Sequence, residues 1–209
     1  MQAIATLTIE HRVVERVLAA LEGLVEKVTG SGVDGREDLG KLMGVLRSFV
    51  EEVHQPKEVG ILLAHLLETG LPAARGPMAA MLGDHASARR AIVRLEVLAN
   101  RPEAWNTRAI ELLEQHAADL AVLLRGHMSQ EEALLFALAD RTFTPETADR
   151  VESMFDEHAS RTDARALELT AQAAVLVERW APADEWPSAE RQRPHGRREV
   201  ASQQSLLLG

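Results

Sequence analysis

The chain has 209 residues, a formal net charge of −9 and no cysteine. This length suits one domain with a well-filled core, while the acidic charge argues against binding to nucleic acid or to an anionic membrane surface. The absence of cysteine excludes disulfides, thiolate metal ligands and cysteine nucleophiles.

The composition favours an all-α protein, because aromatic residues make up only 3% of the chain and Ala, Leu, Glu and Arg are abundant. No apolar run approaches the roughly 18 to 20 residues of a membrane span. The N-terminus lacks the basic and apolar regions of a secretory signal. We therefore expect a cytoplasmic protein.

The first helix is predicted over about residues 6–27. Its apolar residues recur at a spacing of three or four, which is typical of a helix face turned towards a core. His11 takes one position of this stripe, so an imidazole interrupts an otherwise aliphatic face. Residues 29–36 contain three glycines and are predicted to form a loop.

The second helix is predicted over about residues 37–67. Its apolar face continues, with a small drift, through His54, Glu58 and His65. Pro56 lies inside this helix and removes one backbone hydrogen bond, so the helix should kink or loosen between His54 and Glu58.

Two further helices are predicted over about residues 77–99 and 105–140. In the third helix, His85 takes a core-facing position among methionines and aliphatic residues. In the fourth helix, the same spacing predicts an inner stripe of eight residues: Leu113, His116, Leu120, Leu123, His127, Glu131, Leu134 and Leu138.

A fifth helix is predicted over about residues 145–179, with Thr144 as its cap and Pro145 in its first turn. Its apolar stripe is less regular and has two candidate partners: the other helices, or a second subunit in a homodimer. From residue 181 the helical period is lost and the composition changes, which predicts a mobile tail.

Short connections favour an up-down-up-down four-helix bundle. The predicted organisation is such a bundle over residues 1–142, an additional C-terminal helix over 143–180 and the flexible tail over 181–209. In this topology the second and fourth helices run parallel, so polar residues on them can lie at the same level.

Two copies of a His-x-x-x-Glu motif, His54–Glu58 and His127–Glu131, lie on these parallel helices. Residues four apart project from nearly the same side of a helix, so each motif turns an imidazole and a carboxylate towards the core. His11 and His85 add one histidine from each remaining helix. Burying these six groups without a cation would be costly. They suit two cations bridged by both carboxylates, and the donor types fit iron, manganese or zinc.

Further expectations concern other polar residues. His65 and His116 return to the inner face roughly 16 Å from the site along the helix axis and are predicted to be partly exposed. His158 is expected at the surface, and the alternative is that it covers the site as a lid. Three carboxylates beside ligand candidates either accept hydrogen bonds from them or face solvent: Glu10, Asp84 and Glu132.

Over about residues 4–140 the chain resembles hemerythrin-like proteins with the HHE cation-binding domain. The resemblance covers order and spacing and is carried by four stretches: Glu10-His11, His54-Gln-Pro-Lys-Glu58, Gly76-Pro77 leading to Asp84-His85, and His127-Met-Ser-Gln-Glu131-Glu132-Ala-Leu-Leu-Phe136. It implies two non-haem iron ions (Fe2+/Fe3+) with an oxo or hydroxo bridge. The implied ligands are His11, His54, Glu58, His85, His127 and Glu131, with both glutamates bridging.

Two departures distinguish the chain from the oxygen-carrying members. Arg89 stands where they have a second histidine on the third helix, and the last motif is His-x3-Glu instead of His-x4-Asp. The resemblance therefore implies the six-ligand variety with a more open second iron. This puts simple oxygen carriage in doubt and leaves room for peroxide, nitric oxide or oxygen to react.

The leading functional hypothesis is a di-iron protein that binds or reacts with oxygen, peroxide or nitric oxide in an oxygen, oxidative or nitrosative stress response. Weak peroxidase, catalase-like or nitric-oxide-reducing activity stays open. The absence of tyrosine excludes a tyrosyl radical. The alternative is a module for iron storage or iron sensing.

The C-terminal peptide suggests a further partner. Residues 205–209 read Ser-Leu-Leu-Leu-Gly, and some hemerythrin-like proteins are cargo of encapsulin shells loaded through short apolar C-terminal peptides, which this tail resembles. The competing interpretation is a frayed terminus without a partner.

Overall fold

The computed structural model describes residues 1–70 and 77–181. Within these ranges the regular structure consists of five helices, which confirms the all-α prediction. They are α1 (Gln2–Ser31), α2 (residues 36–68), α3 (Pro77–Ala99), α4 (residues 107–142) and α5 (Pro145–Trp180).

The helix ends follow local chemistry. Asn106 caps α4 by accepting a hydrogen bond from the backbone N–H of Ala109 at 2.9 Å, and Thr144 caps α5 through the N–H of Thr147 at 3.2 Å. Pro145 fits the first turn of α5, as predicted, because its missing N–H would have had no intrahelical partner. The predicted tail from residue 182 onwards, with the peptide 205–209, lies outside the described residues.

The loosening predicted at Pro56 takes the form of two π-helical stretches in α2, Phe49–His54 and Glu58–Leu63, on either side of the short α-helical stretch Gln55–Lys57. A proline ring clashes with the carbonyl four residues earlier in a regular α-helix. The wider π turn relieves that clash and moves the residues after it around the helix axis.

A third π-helical stretch, Glu131–Phe136 in α4, corrects the predicted inner stripe. Leu134 is 47% exposed, while its neighbour Leu135 is 2% exposed and buried in the core. A π turn holds one more residue than an α turn, so the inward face moves on by one position. Regular spacing therefore pointed to the wrong leucine.

Two apolar clusters fill the interior, one towards each end of the bundle. The larger cluster contains residues of α1 from Val14 onwards and residues of α2 up to Val53. The smaller cluster contains Ala3 and Leu7 at the start of α1 and residues of α2 from Ile61 onwards. The polar layer that contains the two His-x-x-x-Glu motifs lies between these clusters.

The fifth helix packs against α1 and α2 and buries most of its apolar stripe there, whereas Leu167 is 68% exposed. Phe155, Leu169, Leu176 and Trp180 are all buried there. No helix in the described part of the chain is both long and apolar enough to cross a bilayer.

Candidate metal centre

The structure brings all six predicted ligand residues into one buried layer. Each of the helices α1 to α4 supplies one histidine, and α2 and α4 each add a glutamate. Every one of the six is buried, and both glutamates are fully so: His11, His54, Glu58, His85, His127 and Glu131. The donor atoms form two groups, and within each group they lie within 4.8 Å of one another.

The first group joins α2, α3 and α4. It consists of Glu58, His85, His127 and Glu131. The Nε2 atoms of His85 and His127 are 2.8 Å apart, and His127 Nε2 lies 2.8 Å from Glu131 Oε1. Two imidazole nitrogens bound at right angles to one ion, each at about 2.1 Å, would lie roughly 3 Å apart. The spacing therefore fits a shared cation.

The second group joins α1, α2 and α4 and consists of His11, His54 and Glu131. The His11 and His54 rings lie 5.0 Å apart between centroids, and His11 Nε2 is 3.1 Å from Glu131 Oε2. Phe136 stacks on the His11 ring at 5.7 Å and covers it from the apolar side.

The two carboxylates lie between the groups. Glu131 belongs to both. Glu58 Oε2 lies 3.3 Å from His85 Nε2 in the first group and 3.7 Å from His54 Nε2 in the second. All four carboxylate oxygens are buried without a hydrogen bond from the described residues. Imidazole nitrogens lie 2.8 to 3.7 Å from these carboxylates. A buried carboxylate that accepts no hydrogen bond is costly, and a cation held by those imidazoles would neutralise it.

The electrostatics of the layer reflect two carboxylates that share a site. Burial raises the pKa of Glu58; the His85 imidazole opposes this shift and nearby Glu131 adds to it. Burial also acts to raise the pKa of Glu131, but the imidazoles of His11 and His127 outweigh it and hold that pKa below its usual value. The Glu58 carboxyl therefore favours its neutral, protonated form beside the ionised carboxylate of Glu131.

Two of the histidines are more basic than usual. Burial acts to lower the pKa values of His11 and His127, but the Glu131 carboxylate outweighs burial in both and raises them, with a contribution from Glu132 at His11. Without a cation, protons on these imidazoles supply the positive charge that the carboxylates need.

The carboxylates that adjoin the ligand candidates differ in their burial and in their contacts with the histidines. Glu10 is buried and accepts a hydrogen bond from His54 Nδ1 at 3.1 Å. Glu132 is exposed and accepts from His11 Nδ1 at 2.9 Å. Both bonds leave the ring's Nε2 facing the site, which is the arrangement that metal-binding histidines use. Asp84 is half-buried, and its carboxylate lies 3.7 Å from His127 Nδ1.

Lys57 was missed in the sequence. It lies between His54 and Glu58 in the sequence and is buried, and its ammonium group forms an ion pair with Glu10. Ammonium, carboxylate and imidazole thus form a buried chain from Lys57 through Glu10 to His54. The available signal was the lysine three residues after His54, a spacing that returns to a similar helix face.

The other histidines correct two predictions. His158 was expected at the surface but is buried on α5, where burial and the Lys57 ammonium lower its pKa. His65 was expected to be partly exposed but is buried, and its Nδ1 donates to the Ile61 carbonyl at 2.8 Å. His116 is partly exposed, as predicted. None of the three belongs to either donor group.

Comparison with known proteins identifies the family. The model of the hemerythrin HHE cation-binding domain matches residues 2–139, which contain all six ligand candidates. No curated protein and no solved structure matches the chain. With this match over more than half of its length, the chain belongs to the hemerythrin HHE cation-binding domain family.

Proposed function

We propose that the chain holds two non-haem iron ions in the buried layer. His85 and His127 serve one ion, His11 and His54 serve the other, and Glu58 and Glu131 bridge them. The observation that carries this proposal is that Glu131 belongs to both donor groups while all four oxygens of the two glutamates lack a hydrogen-bond partner among the described residues. A single ion would leave one histidine pair unused.

The centre binds or reacts with a small ligand (oxygen, peroxide or nitric oxide) in an oxygen, oxidative or nitrosative stress response. The iron pair would supply the redox chemistry when bound. The protein contributes the ligands, the hydrogen bonds from His54 to Glu10 and from His11 to Glu132 that fix the ring orientation, and an apolar cluster at each end of the layer that limits water. Arg89 stands where the oxygen carriers have another histidine, which favours an open coordination position.

The first experiment is elemental analysis of anaerobically purified protein, followed by optical spectra on adding oxygen or peroxide. Two irons per chain and an absorption band typical of bridged ferric iron are the expected results. One zinc per chain would overturn the di-iron proposal.

Neighbouring glutamates offer a matched pair of variants. We expect Glu131→Gln to lose both ions, because the donor groups share this carboxylate. Glu132→Gln should keep two ions with an affinity lower by roughly ten- to a hundredfold, because it removes only the hydrogen bond to His11. Equal metal content in wild type and Glu131→Gln would contradict the bridging role.

A storage or iron-sensing module is the second candidate. It is favoured by the buried carboxylates that accept no hydrogen bond from the described residues, because a fold that needs a cation to neutralise them is more stable when iron is present. Turnover of peroxide or nitric oxide by the iron-loaded protein would favour the reactive centre. Iron-dependent stability without turnover would favour the sensor.

A further inference from the structure

A groove between α2 and α3 leads to one side of the centre. It has a volume of about 330 Å³ and is open to solvent. Among the six ligand candidates, His85 is the one that lines it. A ligand entering here would therefore meet the ion served by His85 and His127 first.

The walls of this groove divide into an apolar part and a polar part. The apolar part consists of Pro56, Val59, Gly60 and Leu82. The polar part consists of Glu51, Gln55 and Arg89, together with the His85 ring. Charged groups at the mouth therefore discriminate by charge between ligands that are small enough to enter.

Arg89 lies one helical turn after His85, so both side chains project from a similar side of α3. It is exposed, and its guanidinium donates to the neutral Gln55 Oε1 at 3.2 Å. In the described part of the chain no carboxylate forms an ion pair with Arg89. Its positive charge is therefore available to a ligand in the groove.

Glu51 is the opposing charge in the same groove. It is exposed, and within residues 1–70 and 77–181 no cation forms an ion pair with its carboxylate. It lies one turn before Gln55 on α2, whereas Arg89 shares a helix face with His85. Glu51 opposes the attraction of an anion to Arg89, so its removal should have the opposite effect on anion binding from the removal of Arg89.

We propose that small ligands reach the centre through this groove and that Arg89 makes it favour singly charged anions over neutral molecules of similar size. The inference rests on the proposed function, because it needs a metal beside His85. At a partly exposed mouth, one unpaired charge changes the binding of an anion by about three- to tenfold.

The test uses iron-loaded full-length protein and two probes, azide as the anion and nitric oxide as the neutral molecule, each titrated optically. We expect Arg89→Gln to weaken azide binding three- to tenfold and to leave nitric oxide binding within twofold. Glu51→Gln should strengthen azide binding. The matched control is Arg90→Gln, which removes an exposed arginine whose guanidinium bonds to Ser87 instead, and it should change neither probe.

Three results would overturn the inference: azide affinity of Arg89→Gln within twofold of wild type, equal weakening of both probes, or the same loss in Arg90→Gln. Metal content distinguishes a failure of the proposed function from a failure of the role of Arg89. If wild type takes up no iron, the proposed function fails. If all variants carry two irons and bind azide alike, that function stands and the role of Arg89 fails.

Discussion

Lys57 and Glu10 form a buried ion pair beside the ligand candidate His54, an uncommon arrangement in a helical core. Both residues are at most 8% exposed. Such pairs need not add net stability, because removing two charges from water is expensive. Breaking one is costly, however, because it leaves a buried charge unpaired.

We expect Lys57→Met to destabilise the metal-free protein by about 3 to 5 kcal/mol, since Glu10 would lose its cation. The double variant Lys57→Met/Glu10→Gln should recover much of this loss, because no buried charge remains. Urea unfolding measures the free energies.

Lys41→Met is the matched control for Lys57→Met. Lys41 is exposed on α2, where it pairs with Glu37 at the surface and lies 3.7 Å from the buried Asp38. Asp38 keeps Arg179 as a second cation at 2.9 Å, so the removal of Lys41 should cost no more than about 1 kcal/mol. If Lys57→Met costs no more than Lys41→Met, Glu10 does not depend on the buried lysine.

At the scale of the element, the π-helical stretch in α4 begins at Glu131, and another in α2 begins at Glu58. π turns are rare and occur frequently at functional sites. Each bridging candidate thus lies where the helix widens. The same widening moves Leu135 inwards and Leu134 outwards.

This register can be tested on two adjacent leucines. Leu135→Ala should cost about 2 to 5 kcal/mol, because it empties a core position. Leu134→Ala should cost much less, about 0.5 kcal/mol, because nearly half of that residue is exposed. Thermal or urea unfolding of the two variants gives the comparison. The reverse order of costs would show that α4 continues as a regular α-helix.

Periodicity explains which residues could be predicted. His54 and Glu58, or His127 and Glu131, are one turn apart, so small errors in helix twist do not separate them. Over longer spans, the extra residue of a π turn accumulates, and Leu134 was assigned to the wrong face. In α2, Pro56 signals the irregularity, whereas α4 has no proline to signal it.

The burial of a residue and its contacts with residues far along the chain cannot be predicted from sequence periodicity. His158 was expected at the surface, yet α5 buries it against α2, close to Lys57. The pairing of Lys57 with Glu10 joins residues 47 positions apart. Such contacts depend on how whole helices pack.

At the scale of the molecule, the C-terminal end of α5 is fixed against α1 and α2. The Trp180 indole donates to Asp38 Oδ2 at 2.9 Å, and Lys27 donates to the Arg179 carbonyl at 3.0 Å. Gly23 allows this approach, because a Cβ atom there would lie 1.9 Å from the Trp180 carbonyl oxygen.

Gly23→Ala should therefore displace the end of α5 and cost about 1 to 3 kcal/mol. Gly44→Ala is the matched control on α2, because a Cβ there meets nothing within 4 Å. In that helix interior alanine should be stabilising by about 0.5 to 1 kcal/mol. Urea unfolding of both variants checks the opposite signs. A stabilised Gly23→Ala variant would show that α5 does not pack this closely.

A rise in pH should lower the stability of the metal-free bundle and increase the stabilisation that metal binding adds. The pKa values of His11 and His127 are raised from 6.5 in the metal-free fold, so this fold holds their protons more tightly than the unfolded chain does. The stability that these protons contribute is fully present below pH 6.5 and is lost as the pH rises through the raised values.

If iron binds as proposed, it requires the same imidazoles without protons, so it must displace protons at low pH and meets unprotonated imidazoles at high pH. We therefore expect the rise in melting temperature on adding Fe2+ under anaerobic conditions to grow steadily from pH 5.5 to pH 8. His116→Ala should show the same growth, because His116 belongs to neither donor group. His127→Ala should show much less growth, because it removes both a ligand candidate and one of the titrating imidazoles. A rise that is independent of pH in the wild type would mean that iron binds without these histidines.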